Sequence, residues 1–486
     1  MSTSPEATTP TDAAAPPLQR LSGTLGPAAI VFMVIAAAAP LTIIGGVAPI
    51  GFLLGNGAGF PSLYIPAAVV LLLFAVGLSA MSRHIPRPGA FFTYIGHGLS
   101  RGWGLGAAFL AIVTYAGIQI AVFSYIGAVL SGSIVALGGP DIAWWVFTIV
   151  AVLIVAVLGY RRIALSSTVL AVLLIAEIGI VVVLDIAIIV QGGAEGLSLE
   201  PFSFQNMTSG NLGVGLMFAI AGFVGFEATA IFRDEARNPG RTIPRATYAS
   251  VIIIGLFYAL STWAIVMAWG VGSIVDVAGA DPEGLLAATT DTYLGGVAAV
   301  AVQVLLVTSL FACVLSFHNV VARYLHAMGS AGVLPRAVGR RHGAHGSPHI
   351  ASLVQSAVVL VALLLVIVLG LDPVLEVFTW LSGTTTLGAI ALMTLTCVAV
   401  LVYFGRTRAD RRPWNTIIAP ALGLIGLVGI LVIVIANYPV LVGSVVTAVI
   451  IEAILAACLI AGLVVAGIIR ARRPQVYTDL IDSLSA

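Results

Sequence analysis

The sequence contains no lysine and only three cysteines, and just 8% of its residues are charged. A soluble domain keeps about a quarter of its residues charged, so a water-facing surface over most of this chain is excluded. Cys313, Cys397 and Cys458 lie inside apolar runs without paired spacing or neighbouring metal-ligand residues. They read as core thiols, neither a disulfide framework nor a metal site. No basic patch with interleaved aromatics occurs and the net charge is only +1, so no nucleic acid partner is expected. No nucleophile–base pair or metal cluster is visible, which argues against an enzyme and against a cofactor. Met1 to about Gln19 is rich in Thr, Pro, Ala and Ser, and no basic segment precedes an apolar core. That is not the pattern of a signal peptide. Residues 1–22 and 471–486 are expected to be disordered cytoplasmic tails.

What is abundant is apolar: 60% of the 486 residues, with a mean hydropathy of +1.13. A bilayer core of about 30 Å takes about 20 helical residues to cross. Apolar runs between breakers predict twelve transmembrane helices. The first six lie near 24–53, 61–82, 100–135, 142–160, 164–190 and 210–232. The second six lie near 247–271, 294–325, 350–370, 373–404, 414–436 and 440–469.

The arginines test that count, because all 21 basic residues are arginine. They fall at Arg20, at Arg83, Arg87 and Arg101, and at Arg161 and Arg162. Further clusters run from Arg233 to Arg245, Arg323 to Arg341, Arg406 to Arg412 and Arg470 to Arg473. Each cluster lies at a terminus or at or after the end of an even-numbered helix. The alternate loops carry Asp141, Glu195, Glu200, Asp276, Asp281 and Glu283 instead. Basic residues are retained on the cytoplasmic side. The expectation is therefore an even number of helices, both termini in the cytoplasm, and a bacterial inner membrane as the site.

Two spans look broken. The first contains Ala36-Ala37-Ala38-Ala39-Pro40-Leu41-Thr42, then Gly45 and Gly46; the sixth contains Phe218-Ala219-Ile220-Ala221-Gly222-Phe223-Val224-Gly225-Phe226-Glu227. In lipid a broken helix is tolerated only where it lines a cavity. Breaks at matching places in two five-helix halves point to an inverted-repeat transporter with its site at the midplane. The free N–H groups of Leu41 and Thr42 suit a substrate carboxylate, and carbonyls near Ala219 and Ala221 suit its ammonium group. Tyr115, Phe218, Phe223, Phe226 and Trp380 are candidates to shape the pocket around Ala38, Ala39, Pro40, Gly222 and Gly225. Leu305, Thr308 and Ser309 form an i, i+3, i+4 set that could complete a sodium site with first-helix carbonyls. Glu177, in mid-span, either carries a coupling proton or is a buried acid bonded to a neighbouring helix.

From Gly225 the chain reads G-F-E-A-T-A-I-F-R-D-E-A-R-N-P-G-R-T-I-P-R-A. This resembles the sixth-helix signature of the amino acid–polyamine–organocation permeases, with Glu227, Glu235, Asn238, Pro239, Arg241, Pro244 and Arg245 in matching positions and Asp234 for the first acid of the pair. Pro86-Arg87-Pro88-Gly89-Ala90-Phe91-Phe92-Thr93-Tyr94, entering the third helix, resembles the same family. So does Asn319-Val320-Val321-Ala322-Arg323, continuing to Gly332-Val333-Leu334-Pro335. Where many members carry a Gly-Ser-Gly-type break, this chain has Ala38-Ala39-Pro40-Leu41-Thr42.

The resemblance implies an all-α membrane protein of leucine-transporter-like 5+5 inverted-repeat fold plus two extra helices. Residues 23–190 would form the first repeat, 191–405 the second, and 406–470 helices eleven and twelve. The implied function is a proton- or sodium-coupled symporter that imports amino acids by alternating access. It implies inner gating and proton sensing for Glu227. The lysine that replaces a sodium ion in some proton-coupled relatives is ruled out here. Since the family includes them, a polyamine or other organic-amine permease, or an amino acid exchanger, is the alternative. A polycation would favour several carboxylates in the pocket and only Glu227 is well placed, which favours neutral amino acids.

Overall fold

The computed structural model of the protein describes residues 25–85, 90–161, 167–227, 229, 236–342, 347–478 and 480–484. Outside them lie Arg233, Asp234 and Glu235 of the sixth-helix motif, Pro86 to Gly89 of the second motif, His345, and the amino-terminal stretch to residue 24. Among the described residues the chain is helical, with one isolated parallel bridge between Leu25 and Ala236. Ten helices are long and apolar enough to cross a membrane, and a bent pair makes an eleventh if counted as one span.

That bent pair is α1 (Pro27–Ala37) and α2 (Pro40–Leu54), which meet at 41°. There follow α3 (Phe60–Ser82), α4 (Phe91–Gly98), α5 (Arg101–Ala136), α6 (Trp144–Arg161) and α7 (Ser167–Gln191). The second series is α8 (Leu212–Ala221), α9 (Pro239–Trp269), α10 (Ile274–Ala280), α11 (Leu285–Leu294), α12 (Gly296–Ser330), α13 (His349–Leu369) and α14 (Pro373–Thr407). Then come α15 (Trp414–Val442), α16 (Val445–Arg472) and two short helices, α17 (Pro474–Thr478) and α18 (Leu480–Leu484).

Local chemistry sets several of these limits. Ser100 caps α5 by accepting from the Trp103 N–H, Asn211 caps α8 through Val214, and Asp372 caps α14 through Val374 and Leu375. Each satisfies N–H groups that the first turn leaves free. α9 begins eight residues earlier than its apolar run predicted. Asn238 takes a left-handed φ of 53°, and Pro239 starts the helix at the position where its missing N–H costs nothing. Arg241 and Arg245 therefore ride on the helix, although their charge had placed them outside it. Phe91–Gly98 is likewise a separate short helix and does not enter the third span.

The two series run in the same order: a broken helix, a long helix, short helices, a very long helix of 36 or 35 residues, then two more. Equivalent members meet in pairs, α3 on α9, α5 on α12 and α6 on α13. α16 lies along α5, where Gly462 and Gly106 cross so closely that a Cβ on Gly462 would stand 2.6 Å from the Gly106 Cα. Small residues at such crossings let membrane helices approach.

A buried polar network joins α5, α12 and α13. Gln355 donates through Nε2 to Gln119 Oε1 at 2.6 Å, and Gln119 Nε2 lies 3.2 Å from His318 Nδ1. The Gln119 amide nitrogen donates to that ring atom, so the imidazole carries its proton on Nε2 and donates to Ser352 Oγ at 2.8 Å. α6 closes over the ring at Gly159, where a Cβ would come within 2.5 Å of His318 Nε2.

Candidate substrate and coupling site

α1 stops where Ala39 adopts φ 46° and ψ 72°, a left-handed conformation that costs a non-glycine residue about 1–2 kcal/mol. Pro40 then begins α2 without an N–H of its own, and Ile43 N–H bonds back to Ala39. That leaves the N–H groups of Leu41 and Thr42 at the positive end of a new helix. α2 opens into a π-turn over Ile43–Val47, whose Gly45 carbonyl accepts from the Tyr125 hydroxyl of α5 at 2.5 Å. π-turns commonly mark functional sites.

α8 ends at Ala221, and Gly222 to Gly225 turn away from the helix, Gly225 at φ 109°. That conformation requires glycine. Gly222 is pressed against two rings: a Cβ there would lie 3.1 Å from Tyr258 and 3.3 Å from Tyr64. Tyr258 of α9 also donates to the Ala38 carbonyl at 3.4 Å, so one ring touches both breaks.

Between the breaks lies a small cavity of about 50 Å³. Ala38, Ala39, Thr42, Ile43 and Val47 form one wall, and Ala221 and Val224 the opposite one. α5 contributes Ile118 and Val122, α12 contributes Cys313 and Phe317, and α14 contributes Phe378, Ser382, Thr385 and Thr386. Among the described residues, no carboxylate and no cationic side chain lines it. Its polar edge is hydroxyl: Thr385 donates to the Thr114 carbonyl, Thr386 to Ser382, and the Ser382 hydroxyl, 1% exposed, has no partner. Phe378 stacks on Tyr125 at 4.5 Å above the cavity.

Two carboxylates flank this space. Glu177 of α7, only 5% exposed, accepts from Ser309 Oγ at 2.9 Å and from the Leu41 N–H. Ser309 Oγ also lies 3.5 Å from Thr42 Oγ1. Four residues chosen separately from the sequence thus meet at the start of α2. On the other side, Glu227 folds back to accept from the Gly225 N–H at 2.9 Å, and Tyr115 OH lies 3.5 Å from its second oxygen. Tyr115 stacks on Phe317 and meets Tyr324 edge-on, so an aromatic group separates Glu227 from the cavity floor.

The remaining candidates fall outside the cavity wall. Thr308 donates to the Leu305 carbonyl in its own helix. Phe218 and Ala219 are fully buried in packing, while Phe223 and Phe226 line a small recess with Glu227. Trp380 is half-buried off the cavity wall, and the Tyr438 hydroxyl of α15 donates to its backbone carbonyl. Sequence reasoning missed Phe378, Ser382, Thr385 and Thr386, although their i, i+4, i+7, i+8 spacing marks one helix face.

At the arginine-free end, Glu283 sits half-buried between α10 and α11. Burial holds its carboxyl above the ordinary range, with the negative charges of Asp281 and Asp372 adding to the shift.

Two interruptions in the helix bundle thus converge on one small, mostly apolar cavity. The pattern of the family described as "Amino acid permease" matches residues 25–477, and the chain belongs to that family. With ten or more apolar helices among its described residues, it is a multi-pass membrane protein of a permease family. It is 22% identical over 311 residues to the low-affinity putrescine importer PlaP of Escherichia coli K12, covering 62% of this chain and 66% of that protein. It is 24% identical over 302 residues to the branched-chain amino acid permease BcaP of Lactococcus lactis, covering 58% and 63%. For BcaP of Bacillus subtilis the identity is 24% over 320 residues, covering 61% and 65%. The chain spans less than two thirds of the length of these relatives.

Proposed function

We propose that this permease is a proton-coupled symporter that imports small neutral, apolar amino acids by alternating access. The observation that carries this reading is the cavity wall: among the described residues it is aliphatic and aromatic with a few hydroxyls and no carboxylate. A diamine such as putrescine would leave two ammonium charges without partners there, at a cost of several kcal/mol. A branched or small aliphatic side chain would meet its own kind. The substrate carboxylate would take the N–H groups at the start of α2, and its ammonium the carbonyls released where α8 ends.

Coupling by protons is favoured over sodium because the donors at Glu177 are an N–H and a hydroxyl proton, and an amide N–H is no ligand for a cation. Glu177 is the proton carrier in this reading. Protonation would weaken its hold on the Leu41 N–H and free that donor for the substrate. Glu227, with Tyr115, would gate the inner side. The paired order of the two helix series supports residues 23–190 and 191–405 as inverted repeats, with 406–470 added to them. The clustered arginines support a cytoplasmic position for both termini.

The test is uptake of a labelled amino acid and putrescine panel into proteoliposomes, with proton and sodium gradients imposed separately. Acid-driven accumulation of alanine, valine or leucine supports the reading. Putrescine uptake without amino acid uptake overturns the substrate, and accumulation driven by sodium alone overturns the coupling.

A further inference from the structure

Asp185 has no part in the site described so far. It lies on α7 eight residues beyond Glu177, about 12 Å farther toward the arginine-free end. Both belong to the buried face of that helix, with Val181, Leu184 and Ile188. The side chain is 4% exposed. Ser261 of α9 donates to Oδ2 at 2.7 Å, whereas the buried Oδ1 has no partner. No ion pair among the described residues involves it.

The neighbouring elements offer it no cation. On α9, one turn from Ser261 toward Glu177, stands Tyr258, whose hydroxyl donates to the Ala38 carbonyl at 3.4 Å. Arg241, Arg245 and Tyr248 lie at the far end of α9. α11 carries Asp291 and Tyr293 near its outer end, and the Tyr293 hydroxyl is bonded to the Ala268 carbonyl. α12 carries Cys313 near the level of Glu177, with His318, Arg323, Tyr324 and His326 beyond it. α1 and α2 carry no ionisable side chain.

A serine bonded to an amide would tie α7 to α9 without a titratable group. Acids inside a bilayer are costly and mark ion and proton pathways. We propose that Asp185 is the outer station of a proton path that runs along the seam between α7 and α9 to Glu177. The path rests on the reading of Glu177 as proton carrier. An external hydronium ion protonates the Asp185 carboxylate. That proton then moves through the hydroxyls of Ser261 and Tyr258, relayed by water, to the Glu177 carboxylate. Glu177 becomes the acid, Asp185 returns to carboxylate, and no other bond changes. Asp185 acts through Glu177 and does not touch substrate.

The experiment uses the full chain in proteoliposomes with a labelled mixture of alanine, valine and leucine. Acid-driven uptake is measured against external pH, proton influx is followed with an internal dye, and counterflow without a gradient reports binding and exchange. For Asp185→Asn the expected result is counterflow within about twofold of wild type. Coupled proton influx and acid-driven uptake should fall about 10²-fold, the low end for removal of a positioned proton-transfer group. A wild-type pH profile and proton influx in Asp185→Asn would overturn the proposal. Should that variant also lose counterflow, Ser261→Ala decides. A displacement of the uptake profile by about one pH unit, the worth of one hydrogen bond to a charged group, supports the path, and an unmoved profile overturns it. Acid-driven accumulation that survives Glu177→Gln removes the coupling reading itself, whatever Asp185 does.

Discussion

The two breaks solve the same problem with opposite means. At the first, the backbone is forced into a left-handed turn at Ala39, a residue with a Cβ, and the exposed Leu41 N–H is satisfied by a carboxylate from α7, far away in sequence. At the second, the left-handed turn falls on a glycine, Gly225, and the carboxylate comes from two residues along the same strand of chain. A donor satisfied from another helix couples two bodies; one satisfied locally stiffens a single turn. The first arrangement suits coupling and the second suits a gate.

The largest effect that could break this comparison comes from exchanging carboxylate for amide. Glu177→Gln keeps the acceptor for Leu41 but cannot release a proton, so acid-driven accumulation should vanish while counterflow persists. Glu227→Gln should slow uptake by about tenfold through gating, yet leave the final accumulation ratio within about twofold of wild type. Equal losses in both variants would dissolve the distinction.

Backbone substitutions probe the two turns next. Gly225→Ala should destabilise by about 1–3 kcal/mol, because few residues other than glycine adopt its φ. Ala39→Gly relieves strain but loosens the unfolded chain, so its stability should lie within about 1 kcal/mol of wild type. Thermal unfolding in detergent measures both. If the alanine at 39 proves indispensable and the glycine at 225 replaceable, the assignment of strain is reversed.

A smaller effect is expected at Glu283. Its carboxyl is raised in the fold mainly by burial, so the folded state favours the protonated form. Stability from that group is fully present below the ordinary carboxylate range and falls as pH rises through its elevated value. Glu283→Gln should therefore raise the melting temperature slightly at pH 7 and leave it unchanged near pH 4. The smallest effect belongs to the pair Asp410 and Arg412. Arg412 holds the Asp410 carboxyl down at about 2. The sign is opposite: the contribution is present above pH 4 and lost as pH falls through about 2. Because Arg412 is 54% exposed, Arg412→Ala should cost less than about 1 kcal/mol at neutral pH.

Ten of the twelve expected spans, and the bent first one, were legible because hydropathy is a one-dimensional property, and the breaks because proline and paired glycines declare themselves locally. The sixth span is a helix of only ten residues among those described. The sequence disclosed Glu177 and Ser309 as candidates, but not that they meet Leu41 and Thr42, since that meeting needs the crossing of α2, α7 and α12. On α14 the helical turn of about 100° per residue sets Phe378 on the cavity face and leaves Trp380 off it. Nothing in the sequence pattern singles out Asp185; its burial against Ser261 does.

The glutamine–histidine–serine chain among α5, α12 and α13 bears on how such a machine divides its labour. Gln355, Gln119, His318 and Ser352 are linked in one buried run of hydrogen bonds, and Gly159 packs directly against the imidazole. Sliding one of these helices past another would strand several buried dipoles in hydrocarbon at once. In the proposed alternating-access cycle the three would then serve as a stator, and the strokes would fall to the interrupted helices that lean against it.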